Sequence, residues 1–234
     1  MIDVHFFPSP NGLKVPMMLE ECGLAYRIVE VNILRGAQFE PGFMAISPNN
    51  RIPAIVDQAA PGGPLSIFES GAILQYLAEK SGRLLPTDVR GRYEVLQWVY
   101  WQVAALGPMA GQAHHFRMFA PEKPPYAVRR FTDEMNRLYG VLQRRLESRE
   151  YLADQYSIAD IACWPWIVHH EWQGQSLDDF PAVKRWFETV RDRPATRRAY
   201  EIGHVQMADS EAYRYLYGQT AKFVDEQRRE HGAP

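Results

Sequence analysis

Cysteine is scarce in this chain of 234 residues: there are two, Cys22 and Cys163, far apart and without any CxxC or metal-ligand spacing. That excludes a disulfide framework, a zinc ribbon and a dithiol redox motif, and it makes a reducing, cytoplasmic location the simplest expectation. No metal site is expected. Charge of one sign is also missing. Lys and Arg number 26 against 28 Asp and Glu, a net charge of −2, so neither nucleic acid nor an anionic membrane is an expected partner. No apolar run approaches the roughly 20 residues a membrane-spanning helix needs. The start, Met1-Ile2-Asp3-Val4-His5, has neither the basic segment nor the apolar segment of a secretory signal. Internal repeats and low-complexity tracts are absent too.

What remains is an ordinary globular composition, 46% hydrophobic and 23% charged, in a chain long enough for one large or two modest domains with real cores. The first part alternates strands and helices. Val4–Phe7 reads as a strand, and 12–22 as a helix stopped by Gly23. Strands follow at 26–31, 52–57 and 65–68, the last two a hairpin around Pro61-Gly62-Gly63-Pro64, with a short helix over 39–46 and another over 70–80. This order fits a four-stranded mixed sheet carrying helices. After Leu84-Leu85-Pro86 the spacing turns helical, over 90–106, 126–147, 158–171 and 182–191, with no convincing strand. The fold class is therefore α/β plus all-α. Residues 1–85 form the first domain, and 90–234 form a helical domain with a C-terminal extension. Ser157-Ile158-Ala159-Asp160 is a capping box with Asp in the usual place of Glu.

Two motifs point to a ligand. In Asn49-Asn50-Arg51-Ile52-Pro53-Ala54-Ile55-Val56, a proline opens an apolar strand, the position where a missing ladder donor is tolerated. A cis Ile52-Pro53 bond would turn the chain sharply and expose the Ile52 backbone. Further on, Glu69-Ser70 stands between a strand and a helix, placing a hydroxyl and free N–H groups at a helix N-terminus that suits an anion. A backbone edge beside a carboxylate receptor is what a peptide with a free carboxylate needs.

The first strand-to-helix loop reads Pro8-Ser9-Pro10-Asn11-Gly12. Ser9 and Asn11 both carry donors able to hold a thiolate, and a helix N-terminus adds positive potential. Both are equally the preferred helix-capping residues, and capping is the simpler use. Neither position holds a cysteine, and the nearest tyrosines, Tyr26 and Tyr76, belong to other elements.

Together these stretches resemble the glutathione transferases, and within them the nu class. The resemblance rests on Ser9-Pro10-Asn11-Gly12, Gln38-Phe39, Ser47 to Ile55 and Phe68 to Leu74. The helical part adds Gln97-Trp98, Gly107 to Gln112, His114-His115-Phe116 and Ile158 to Trp166. It spans roughly residues 1 to 200. Bacterial members of that class reduce disulfides with glutathione, and a yeast nitrogen-regulating prion protein shares the fold. The resemblance implies a thioredoxin-like first domain followed by a helical bundle, with Asn11 and Ser9 on the glutathione sulfur. It implies Ile52, beside Pro53, pairing its backbone with the cysteinyl unit, and Glu69 and Ser70 holding the γ-glutamyl ammonium and carboxylate. Gln38 and Arg51 would lie near the glycyl end, and Arg130 would reach a second glutathione or the partner subunit's site. Ser9 stands where the class often has Thr, which keeps the hydroxyl.

The implied activity is disulfide reduction by bound glutathione thiolate, acting on a small-molecule disulfide, in a homodimer. Conjugation to an electrophile, peroxide reduction, and glutathione-binding regulation without turnover are the alternatives. Several other features read as structural. Adjacent side chains on a helix point apart, so His114 and His115 are not expected to chelate one ion. Cys22 and Cys163 are expected to be inert. Trp98, Trp101, Trp164 and Trp166 are expected in the helical core. The tail from about Gly203 is polar, with an aromatic cluster at Tyr213, Tyr215, Tyr217 and Phe223, and its charged end, Asp225 to Glu230, is expected to be solvated or frayed.

Overall fold

The computed structural model describes residues 1–202; the aromatic cluster of the tail and the extension beyond Gly203 lie outside the described residues. Strand β1 (Ile2–Phe6) pairs in parallel with β2 (Tyr26–Glu30) and antiparallel with β3 (Ala54–Asp57), which pairs with β4 (Leu65–Phe68). The sheet order is β2-β1-β3-β4, so β4 is an edge. Helix α1 (Pro10–Cys22) crosses from β1 to β2, and α3 (Ser70–Ser81) follows β4. Helix α2 is a single turn, Pro41–Met44, preceded by two 3-10 turns, Ile33–Arg35 and Ala37–Phe39. The helix expected over 39–46 is thus shorter: Pro41 sets where it starts.

The helical part begins at α4 (Val89–Trp101), capped by the Asp88 carboxylate accepting from the Gly91 N–H at 2.9 Å. It does not stop near Leu106 as the apolar spacing suggests. A π-helical turn, Gln102–Leu106, carries the chain into α5 (Gly107–His114), and a second π turn, His115–Phe119, follows. Pro108 has no N–H to donate to the carbonyl four residues back. The wider turn lets the helix pass it, with the Gly107 N–H bonding Gln102 O. Helix α6 (Pro125–Leu146) then runs back beside α5.

Helix α7 (Ile158–Ile167) is buried at every position. It ends earlier than expected, and a separate 3-10 turn over His170–Gln173 closes on Gly174, whose φ is +74°. Helix α8 (Pro181–Arg191) follows, and α9 (Pro194–Ile202), which the spacing did not suggest, packs on α1.

The capping box forms: the Asp160 carboxylate accepts from the Ser157 N–H at 3.0 Å while the Ser157 hydroxyl accepts at the start of α7. One hydrophobic core runs from Ile2, Val4 and Leu19 under the sheet through α7 to Trp186 and Val190. The two parts are therefore packed into one another, and the cleft between them is fixed by that shared core.

Candidate active site

A cleft of about 370 Å³ opens between the first part's loops and the α4–α5 region, within the usual size of small-molecule sites. Ser9, Asn11, Gln38, Arg51, Ile52, Glu69 and Ser70 all line it, so residues from four separate loops meet on one surface. Pro53 lines an adjoining recess shared with Arg51, Ile52, Glu69 and Ser70. The Ile52-Pro53 bond is cis. The Ser47 hydroxyl donates to Arg51 O at 2.9 Å and pins the approach to it.

Arg130 does not line this cleft. It is exposed on α6, where its charge acts on Glu134, and neighbouring Arg129 lines a different, shallow depression with Arg117 and Lys123.

The structure separates the two candidate thiolate donors. Ser9 is the N-cap of α1, its hydroxyl accepting from the Gly12 N–H at 3.0 Å. Gly12 is required there, because a Cβ would stand 2.2 Å from Phe7 O. Asn11 caps nothing. Its Oδ1 accepts the indole N–H of Trp166 at 3.0 Å. An indole nitrogen only donates, so the amide oxygen is committed and its NH₂ is the free end. Trp166 is buried in the helical core, as expected, and also lines the cleft beside Asn11.

At the other end, Glu69 has φ +69°, a left-handed conformation uncommon for a non-glycine residue. It precedes Ser70 at the start of α3 and makes no capping bond with its side chain, which leaves the carboxylate available at the cleft. Ser70 is 7% exposed, and its hydroxyl accepts from the Lys14 ammonium at 3.2 Å. Lys14 also donates to Gln102 Oε1 at 2.6 Å. Burial holds the Lys14 amine down to about 7.

Several residues at the site were not assigned to it from the sequence. Gln102 and Trp166 are far from the first domain in sequence and carry no local signal. Asn50 lines the cleft with its buried Oδ1 unpaired among the described residues, and it stood in a motif already singled out. Lys14 did leave a signal: a lone charge within the apolar run Leu13 to Leu19.

Neither cysteine reaches the cleft. Cys22 is half-buried at the end of α1, near Ser81, and Cys163 is fully buried with its thiol raised by that burial. The histidine pair also divides as expected. His114 is buried against Trp166 and Trp172, its imidazole held down to about 3 by burial, while His115 packs edge-on against Phe116. Among the described residues no group of three or more His, Cys, Asp or Glu could hold a metal ion, and no helix is long and apolar enough to cross a membrane.

Residues 8–80 match the family described as glutathione S-transferase, N-terminal domain, and residues 106–194 match glutathione S-transferase, C-terminal domain. The chain belongs to the glutathione transferase family. Among its relatives is the disulfide-bond oxidoreductase YfcG of Escherichia coli (strain K12), 54% identical over 204 residues, covering 85% of this chain and 94% of that one. A glutathione transferase family member from Pseudomonas fluorescens, solved with two glutathione bound, superposes with a TM-score of 0.81 at 44% identity. That match covers 86% of this chain and 92% of the other. A glutathione transferase from Pseudomonas putida, solved with one glutathione disulfide bound per subunit, gives 0.82 at 44% identity, covering 86% and 91%. The glutathione transferase fold and its two-part organisation are thus shared over most of the chain.

Proposed function

We propose that the protein is a glutathione-dependent disulfide-bond oxidoreductase whose reactive sulfur belongs to bound glutathione. The observation that carries this reading is one cleft with a free amide donor at the N-terminus of α1, a Glu69–Ser70 pair at the N-terminus of α3, and no cysteine on its wall among the described residues. The donor set fits a γ-glutamyl tripeptide. Glu69 offers a carboxylate for the ammonium, Ser70 and its helix terminus suit the α-carboxylate, and the Ile52 backbone suits the cysteinyl amide. Gln38 and Arg51 lie toward the glycyl carboxylate. The relatives with glutathione or its disulfide bound, and the one named a disulfide-bond oxidoreductase, support the same substrate class.

In the reaction the Asn11 NH₂ and the Ser9 hydroxyl hold the glutathione thiolate. That thiolate attacks one sulfur of a disulfide; a new S–S bond forms, the old one breaks, and the departing sulfur leaves with the electron pair and takes a proton from water. A second glutathione thiolate then attacks the glutathione sulfur of the mixed disulfide and releases the other half of the substrate. Two glutathiones are oxidised and one disulfide is reduced. A neutral amide lowers the thiol's pKa only modestly, which suits exchange, because nucleophilicity falls along with pKa. We read the chain further as a nu-class member working as a homodimer in the cytoplasm, with Arg130 serving the partner's site or a second glutathione. The motifs quoted above and the absence of paired cysteines support this.

The test is turnover of a small dialkyl disulfide with glutathione, coupled to glutathione reductase, beside an aryl-halide conjugation assay. Wild-type protein is expected to reduce the disulfide, with weak conjugation. Asn11→Ala is expected to lower turnover roughly 10- to 100-fold, the worth of one hydrogen bond to a charged group. Strong conjugation with little disulfide turnover would make it a transferase, and binding without either reaction would make it a regulator.

A further inference from the structure

We propose that Lys14 is the buried counter-charge for the anion held at Ser70, so that glutathione binds together with a proton. The inference rests on the reading that the γ-glutamyl carboxylate sits at Ser70. Lys14 is on the inward face of α1 and has no exposure at all. Its Nζ donates to Ser70 Oγ at 3.2 Å and to Gln102 Oε1 at 2.6 Å, and both acceptors line the cleft. It therefore joins the anion end of the first part to the π-helical turn of the second, from behind the cleft wall.

No carboxylate among the described residues lies within ion-pair distance of this ammonium. The titratable groups that act on it are Cys163 on α7 and Glu69 at the head of α3. The Cys163 thiol is kept protonated by burial, so it supplies no charge. Asp160, one turn earlier on α7, is already committed to the backbone N–H groups of Leu152 and Ser157 and to the Trp186 indole. Glu69 is exposed to the cleft. Its assigned partner is the ligand's ammonium. An unpaired buried ammonium is costly to keep, and such a group sheds its proton or finds an anion. Among the described residues its two hydrogen-bond partners, Ser70 and Gln102, both line the cleft, and Ser70 stands at the helix terminus suited to an anion.

The chemistry couples the two events. While Lys14 is an ammonium it donates to Ser70 Oγ, and the Ser70 hydroxyl hydrogen is free to donate elsewhere, into the cleft. Once neutral, the Lys14 amine has a lone pair, and the Ser70 hydroxyl can turn to donate to it instead. Loss of the proton thus removes both a positive charge and a hydrogen-bond donor from the anion site. An anion bound at Ser70 favours the charged form and raises the amine's proton affinity. Burial holds the free amine far below its usual range, and the sign follows: below the amine's own pKa Lys14 is already charged and binding takes up no proton from solution. Above it, binding recharges Lys14, and affinity falls as pH rises.

The experiment is calorimetric titration with S-methylglutathione, which has no thiol to titrate, between pH 6 and 8.5 in two buffers of different ionisation heat. Wild-type protein is expected to take up close to one proton per site at the upper end, with affinity falling by up to about tenfold per pH unit above neutrality. Lys14→Met is expected to bind more weakly, with a flatter pH profile and only the small uptake of the ligand's own amine. Wild-type binding without uptake, or uptake undiminished in Lys14→Met, overturns the role given to Lys14 and leaves the glutathione reading standing. No binding by wild-type protein overturns that reading and this inference with it.

A second measurement needs no folded variant. The chain has five lysines, so ¹³C labelling at the ε-carbon gives few signals. One lysine is expected to titrate near neutrality and to move to higher pH when S-methylglutathione is added. A spectrum with no such lysine, or one that ignores the ligand, refutes the coupling.

Discussion

The side chain of Asn11 has two ends, and a hydrogen bond across 155 positions of sequence decides which of them meets the ligand. Read alone, the loop at 8–12 left capping and catalysis open for both Ser9 and Asn11. The structure gives the cap to Ser9, and the Trp166 indole then fixes the Asn11 amide with its NH₂ as the free end. Local pattern can name such a residue but cannot orient it, because the partner arrives from another part of the chain. Trp166 is accordingly a positioning residue. Trp166→Phe keeps the ring and removes the N–H, leaving the amide able to turn over. Disulfide turnover is expected to fall roughly 3- to 10-fold, the worth of one neutral hydrogen bond. The bound glutathione thiol, followed by thiolate ultraviolet absorbance, should titrate at higher pH, while S-methylglutathione affinity holds. An unchanged thiol titration would remove Trp166 from the mechanism and return it to the core.

At the scale of elements, what was legible depended on how local the determinants are. The capping box at Ser157 is written in four residues, and α7 forms behind it. The α4–α5 region is different: Gly107, Pro108 and Gly111 argue against a helix, yet the chain stays helical because a π turn absorbs the proline. That wider turn also puts Gln102, Val103 and Gly107 on the cleft wall, so the departure from regular geometry coincides with the site. The Asp160 carboxylate does more than the box requires. One oxygen accepts from the Leu152 N–H at 3.0 Å and from the Trp186 indole at 2.9 Å, tying α7 to the preceding loop and to α8. The other accepts from the Ser157 N–H. Burial pushes its carboxyl up to about 6, which still leaves it mostly ionised at pH 7.5. Asp160→Asn would set an NH₂ against one of these donors inside the core. The expected loss is roughly 2–3 kcal/mol, read as a melting temperature lower by about 4–12 °C. Since Asp160 is remote from the cleft wall, glutathione affinity of the folded variant should be near wild type. A melting temperature within a degree of wild type would show that the network contributes nothing net.

Over the whole molecule, the cleft exists because the two parts are tied together around it. The Ile158 N–H donates to Leu84 O at 3.1 Å where the chain leaves the first part, and Arg193 grips Glu21 on α1 at 2.6 Å. Helix α9 lies along α1, and Arg198 pairs with Glu20 at 2.5 Å. This closing helix was not visible in the sequence, since nine residues behind Pro194 give too short a period to stand out, and its reason for forming is the α1 surface it covers. The proposed homodimer is argued from surfaces that nothing in the described chain covers. Edge strand β4 presents Leu65 at 42% exposure, and α4 presents Tyr93 and Tyr100, seven residues apart and so on one face, at 65% and 60%. An unpaired edge with an exposed apolar side chain is a liability in a lone monomer, and burial against a second copy relieves it. Sedimentation equilibrium is expected to give twice the 27.0 kDa chain mass for wild-type protein. Neither Leu65 nor Tyr100 lines the cleft, so Leu65→Glu and Tyr100→Glu leave its wall unchanged. Each should weaken the dimer, and the two together should give a monomer that still melts cooperatively. A dimer that tolerates both charges uses other surfaces, and a monomeric wild type would leave Arg130 only the second glutathione to serve.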